Sequence, residues 1–243
     1  MQTETKPKLE LVSEKPLPVI ELFGPTMQGE GALAGMRTHF VRFGGCTFRC
    51  DWCDSMHAVE PEQIKANRIM MPPSAIVKGL IDRSFSVWVT LTGGDPCIHD
   101  LRDLIARLHS FYFKIAIETQ GALNPPWLKD CDLVTLSPKP PSSSMKTDYD
   151  VLQSIVLQCT KGELVLKVVV FDDDDLKYAS DIHSRYPAVP FYLSVGTPKG
   201  ATALEVIQRY RELTEKVVVT RGFQDAVILP QLHYLLWGSE KGR

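Results

Sequence analysis

A chain of 243 residues, 44 % apolar and 23 % charged, has the material for a substantial core without disulfide staples. Its formal net charge of −2 gives no electrostatic footprint for nucleic acid, and no apolar run approaches the roughly 18 residues of a membrane span. The first residues lack the apolar stretch of an export signal, so six cysteines predict a reducing, cytoplasmic setting in which thiols serve as ligands.

In chain order, residues 1–17 are polar, charged and aperiodic and predict a flexible tail ahead of a single domain, 18–243. Residues 19–23 predict a short strand, and 24–31 a Gly-rich loop. Residues 38–43 alternate and are β-rich, predicting the first strand of the main sheet. Gly44-Gly45 then turn into a cysteine loop. Ser74 reads as an N-cap for a helix over 75–82. The apolar run 87–91 predicts a strand buried on both faces. A helix over 100–109, a strand over 114–117, a short helix opened by Pro125-Pro126-Trp127 and a strand over 132–136 follow. Next come a helix over 149–158, a strand over 163–171 and a helix opened by four aspartates, 172–175, whose charge suits its N-terminus. A strand over 191–195, an amphipathic helix over 203–213, a last strand over 216–220 and a closing segment, 231–237, complete the chain.

Strands alternating with helices predict an α/β fold built on a parallel sheet. About six such units fall short of the eight of a closed barrel, so the expectation is an incomplete parallel (β/α)6 barrel. Cys46, Gly94, Glu118, Ser137 and Ser194 fall at the carboxyl ends of predicted strands, the end where parallel folds bind ligands.

Cys46, Cys50 and Cys53 lie within eight residues in a C-x3-C-x2-C pattern. Three thiolates so spaced can ligate three irons of a [4Fe–4S] cluster and leave the fourth open. The same thiols fit part of a zinc site, but the chain lacks a second C-x2-C pair or an H-x3-5-H. Cys97, Cys131 and Cys159 are scattered and read as small buried hydrophobes.

With Trp52 before the last cysteine, the loop resembles that of the radical S-adenosylmethionine (SAM) enzymes, in which the open iron chelates SAM. Thr92-Gly93-Gly94-Asp95-Pro96 resembles their Gly-Gly-Glu-Pro segment, with Asp95 in place of Glu. Residues 23–31, 40–46, 53–55, 118–121, 137–141 and 229–238 narrow the resemblance to the 7-carboxy-7-deazaguanine synthase family, from about residue 18 onward. That resemblance implies a radical SAM barrel and conversion of 6-carboxy-5,6,7,8-tetrahydropterin to 7-carboxy-7-deazaguanine with loss of ammonia. It implies a [4Fe–4S] cluster on Cys46, Cys50 and Cys53, SAM as a regenerated cofactor, Mg2+ at Ser55, an electron donor such as flavodoxin or ferredoxin, and a homodimer. It further implies substrate contacts from Met27, Gln28, Gly29, Arg42, Thr92, Glu118 and His233, with Arg42, Glu118 and His233 nearest the chemistry. Gly94, Ser137, Pro138 and Lys139 match SAM contacts. Two other readings remain on the residues alone: a glycyl-radical activating enzyme, and a non-catalytic zinc or Fe–S binding module.

Overall fold

The computed structural model describes residues 14–159 and 163–242. Its strands are β1 (Leu17–Met27), β2 (Arg37–Phe43), β3 (Ile69–Met71), β4 (Trp88–Gly93), β5 (Lys114–Thr119), β6 (Leu133–Leu136), β7 (Glu163–Val170), β8 (Phe191–Val195) and β9 (Val227–Leu229). They form one sheet in the order β3-β1-β2-β4-β5-β6-β7-β8-β9. β2 and β4 to β9 run parallel, while β1 and β3 pair antiparallel at one edge. The helices are α1 (Pro61–Asn67), α2 (Pro73–Ile81), α3 (Arg102–Ser110), α4 (Tyr149–Gln158), α5 (Asp173–Arg185), α6 (Ala203–Val219) and α7 (Leu232–Trp237). Among the described residues no helix is long and apolar enough to cross a membrane.

The two faces of the sheet differ in chemistry, because side chains alternate along a strand and parallel strands hold them in register. One face carries Val41, Phe43, Val89, Leu91, Ile115, Ile117, Val134, Leu136, Leu166 and Val168, which share a core with Ile76, Leu80, Leu104, Leu108, Leu152, Ile155 and Ile182 of the helices. Burying each such side chain contributes about 1.5–3 kcal/mol. The intervening positions form the other face. There Leu33, Ala116, Leu133 and Val165 make a small apolar floor. Nearer the carboxyl ends the same face turns polar. Arg42 pairs in register with Thr92, and Glu118 with Thr135.

Several boundaries depart from expectation. Of the expected tail, residues 1–13 lie outside the described residues; Glu14 pairs with Arg107 and accepts from Ser74 Oγ at 3.0 Å, and Leu17 opens β1. Ser74 is therefore not the N-cap of α2: Pro72 holds that position and Pro73 opens the helix, where a missing N–H costs nothing. Part of the expected Gly-rich loop, 24–27, belongs to β1, which has a register shift between Phe23 and Thr26. Pro25 is tolerated there because β3 pairs only with Leu17–Val19, leaving that end of β1 without a partner on one side. The expected last strand over 216–220 is the end of α6 and the turn after it. A capping box between Thr202 and Glu205 starts that helix, and Leu213 and Val217 bury one face of it, which outweighs the β propensity of Val217-Val218-Val219. The last parallel strand is β9 instead.

The four-aspartate run starts α5 as expected: Asp172 accepts from the N–H groups of Asp174 and Asp175. Asp175 has a further task. It is fully buried and accepts from Ser142 N at 3.0 Å, Ser142 Oγ at 2.6 Å and Phe171 N at 2.9 Å. Each donor orphaned in a dry site costs about 1–3 kcal/mol. Asp175→Ala is expected to destabilise the fold by about 3 kcal/mol, and Asp175→Asn, which keeps one acceptor, by less; urea denaturation checks both.

Candidate active site

The cysteine loop is held from two sides. At its base, Gly45 N donates to Ala58 O at 2.7 Å and Asp95 N to Gly45 O at 2.7 Å. Gly94 passes so close that a Cβ would lie 2.1 Å from Gly45 O and 2.9 Å from Ala58 O, so no other residue fits there. Asp95 turns inward and accepts from Thr119 Oγ1 at 2.9 Å and Cys97 N at 3.1 Å. Its side chain therefore braces the turn.

The outer side of the loop rests on the segment after β6. Trp52 Nε1 donates to Ser142 Oγ at 2.9 Å, the same hydroxyl that Asp175 holds, and its ring lies 5.2 Å from that of Phe171. Asp51 N donates to Ser143 O at 3.2 Å. Lys139, whose ammonium lies 5.7 Å over the Trp52 ring, also donates to Ser137 Oγ at 3.3 Å.

Burial pushes all three loop thiols up, Cys50 to about 11, and the Lys139 ammonium works against that rise at each. Binding a metal centre needs thiolates, and Lys139 supplies the cation beside them. Cys46 Sγ already receives N–H groups from Phe48 at 3.3 Å and Gln120 at 3.7 Å. Three thiols with N–H donors and a nearby cation fit an iron–sulfur cluster, whose sulfurs take such bonds. Among the described residues no three His, Cys, Asp or Glu side chains converge as ligands of a single metal ion do. A cluster asks something different, one thiolate per iron.

Beside the loop, three residues singled out in the sequence meet. Glu118 accepts from Gln28 Nε2 at 2.9 Å and from Thr92 Oγ1 at 2.7 Å. Arg42 donates from Nε to Glu21 at 2.7 Å and from Nη1 to Ser55 Oγ at 3.0 Å. His57, with Arg42, holds the Glu21 carboxyl down to about 2 against its burial. Ser55 donates in turn to Asp54 Oδ1 at 3.0 Å. Its hydroxyl keeps one lone pair, and with Asp54 it offers the oxygen donors that Mg2+ prefers.

The far wall is built by residues the sequence reading gave no role. Lys167 is buried on the polar face and pairs with Glu30, which also accepts from Gln231 Nε2 at 2.7 Å. Glu30 N donates to Gln28 Oε1 at 3.2 Å, which turns the Gln28 amide toward Glu118. A signal for Lys167 was present: a lone cation in the apolar run of β7, in inward phase with Val165. Met27 ends β1, and Gly29 O accepts from Leu232 N at 3.0 Å. A Cβ on Gly29 would sit 2.0 Å from His233 Nδ1, so the glycine lets α7 close on the loop. Of the sequence-predicted residues, Gln28, Thr92 and Glu118 form one hydrogen-bonded set; Arg42 and Ser55 form another; Ser137, Lys139 and the cysteines lie around Trp52; His233 meets Gly29.

Burial raises the Glu30 carboxyl, but Lys167, the nearby His233 and Gln231 outweigh it and hold it at about 2, from an ordinary value near 4.5. A group lowered on folding contributes stability that is complete above its unfolded pKa and lost as pH falls through the folded one. The wild type should therefore lose stability as pH drops from near 4.5 toward 2, and Glu30→Gln should flatten that limb; urea midpoints against pH show it. Gly29→Ala is expected to displace α7, raising the protease sensitivity of residues 230–242 with little change in the rest.

No family model matches the chain. The 7-carboxy-7-deazaguanine synthase of Bacillus cereus is 41 % identical over 239 residues, covering 93 % of this chain and 98 % of the relative. The enzyme of that name from Bacillus subtilis is 39 % identical over 241 residues, covering 94 % and 99 %. The crystal structure of QueE from Escherichia coli matches with a TM-score of 0.66 at 23 % identity, covering 90 % of this chain and 95 % of that one, and shows a shared fold.

Proposed function

Since the chain belongs to the 7-carboxy-7-deazaguanine synthase family, we propose that it is a lyase of deazapurine biosynthesis that converts 6-carboxy-5,6,7,8-tetrahydropterin to 7-carboxy-7-deazaguanine with loss of ammonia. The observation that carries this reading is the hydrogen-bonded set Gln28–Glu118–Thr92 on the same sheet face as Arg42, beside the three-cysteine loop. The substrate has N–H donors at one end and a carboxylate at the other. Glu118 keeps lone pairs for the first, and Arg42, paired through Nε and Nη1, keeps Nη2 for the second.

The sheet is read as the incomplete barrel of the radical SAM enzymes, and residues 18–243 as one catalytic domain. Cys46, Cys50 and Cys53 would hold a [4Fe–4S] cluster, and Gly94 with Ser137, Pro138 and Lys139 would hold SAM. Together those groups supply one-electron cleavage of a carbon–sulfur bond and, through it, hydrogen abstraction from the substrate carbon. Around them the protein's own work is placement. Gly94 packs its backbone against Gly45 and Ala58 and so seats the cysteine loop beside the turn that would hold SAM. Lys139 places a positive charge beside the thiols. Gln28 and Thr92 fix the Glu118 carboxylate, and Arg42 fixes the other end. Met27, Gly29 and His233 close the pocket from the loop and α7. Ser55 would share Mg2+ with substrate oxygens and water. A one-electron donor of flavodoxin or ferredoxin type and a homodimer belong to the same proposal.

Anaerobic incubation of reconstituted protein with SAM, reductant and the tetrahydropterin is expected to yield 7-carboxy-7-deazaguanine. Cys50→Ala should hold no intact cluster and form no product. Losing one charge-assisted contact costs about 1.5–3 kcal/mol, so Arg42→Ala and Glu118→Ala should lower kcat/KM about ten- to a hundredfold. Arg42→Ala should also release 5′-deoxyadenosine without product. Wild-type kinetics in both variants, at normal iron content, would defeat the substrate assignment.

A further inference from the structure

Gln120 has no part in the substrate-reading set, yet it is buried and aimed at the cysteine loop. Its Nε2 donates to Cys46 Sγ at 3.7 Å and to Thr47 Oγ1 at 3.2 Å, so both N–H groups of one amide enter the loop. The turn that carries it is fixed on each side. Thr119 Oγ1 donates to Asp95 and accepts from Gly121 N at 3.2 Å, and Thr119 O accepts from Ser137 N at 2.8 Å. Gly121 has φ +79°, and a Cβ there would stand 2.7 Å from Leu136 Cδ1. The backbone thus has little freedom to swing the amide elsewhere.

An N–H aimed at a ligating sulfur stabilises negative charge on it, and more so after the centre gains an electron. A neutral amide does this without adding net charge to a site that already holds Lys139. We infer that Gln120 is a positioning residue that raises the reduction potential of the cluster by hydrogen bonding to Cys46, and so eases uptake of the single electron from the external donor. No bond forms or breaks in that step; the centre is reduced and the donor oxidised by one electron. The inference rests on the cluster reading of the loop.

The test is a dye-mediated redox titration, followed by electron paramagnetic resonance, of reconstituted wild type, Gln120→Met and Gln120→Glu, with iron and sulfide counted in each. Gln120→Met keeps length and removes the donor. It should hold a full cluster whose tendency to take the electron falls about three- to tenfold, tenfold being about 59 mV for one electron. Gln120→Glu, with a carboxylate in place of the donor, should fall further. A full cluster at wild-type potential in Gln120→Met overturns the inference and leaves the cluster reading standing. Loss of iron from both variants assigns Gln120 a structural role and also overturns it; loss from one leaves the other's potential to decide. Wild-type protein that binds no iron and sulfide removes the cluster reading itself.

Discussion

The buried ion pair between Glu30 and Lys167 is the contact on which the open side of the site depends. It joins the loop after β1 to the middle of β7, and through Gln231 it reaches the segment before α7. Taking two charges out of water is costly and is offset only when the remaining hydrogen-bonding capacity is used. Here it is used. Glu30 takes Gln231 as a second donor, and its own N–H turns the Gln28 amide so that Nε2 faces Glu118. One electrostatic contact therefore helps set the orientation of the Gln28 amide toward Glu118.

The cysteine loop is stabilised by a different device. It has little core of its own and borrows rigidity from neighbours on both sides. On one side glycines let backbone pack on backbone, and Asp95 braces the turn from beneath. On the other, a relay from Asp175 through Ser142 to Trp52 ties the loop to the start of α5. These contacts hold the segment that carries the three thiols from both sides. The Gln120 amide extends the same logic from position to electronics.

Charge balance links the two halves. Burial disfavours the charged form of Lys139 first, and the nearby Lys167 ammonium disfavours it further. Asp54, Glu30 and Glu118 answer them. Cations and anions on this side of the sheet thus offset one another.

Much of this was legible in the sequence. The C-x3-C-x2-C spacing is local and needs no fold to be read, and the alternation in β2 with the apolar runs of β4, β5 and β7 announced a parallel α/β sheet. The residues at strand ends were legible for the same reason, because a strand's phase fixes which side chains share a face. Tertiary structure alone decided what lies far apart in the chain. Lys167 meets Glu30 across 137 positions and Gln120 meets Cys46 across 74. Residues 216–220 have the composition of a strand and became the end of a helix, because Leu213 and Val217 found a core one turn apart on α6. Sequence spacing records geometry over a few residues; the partners of a buried charge or amide depend on strand order and register, which arise only when the sheet assembles.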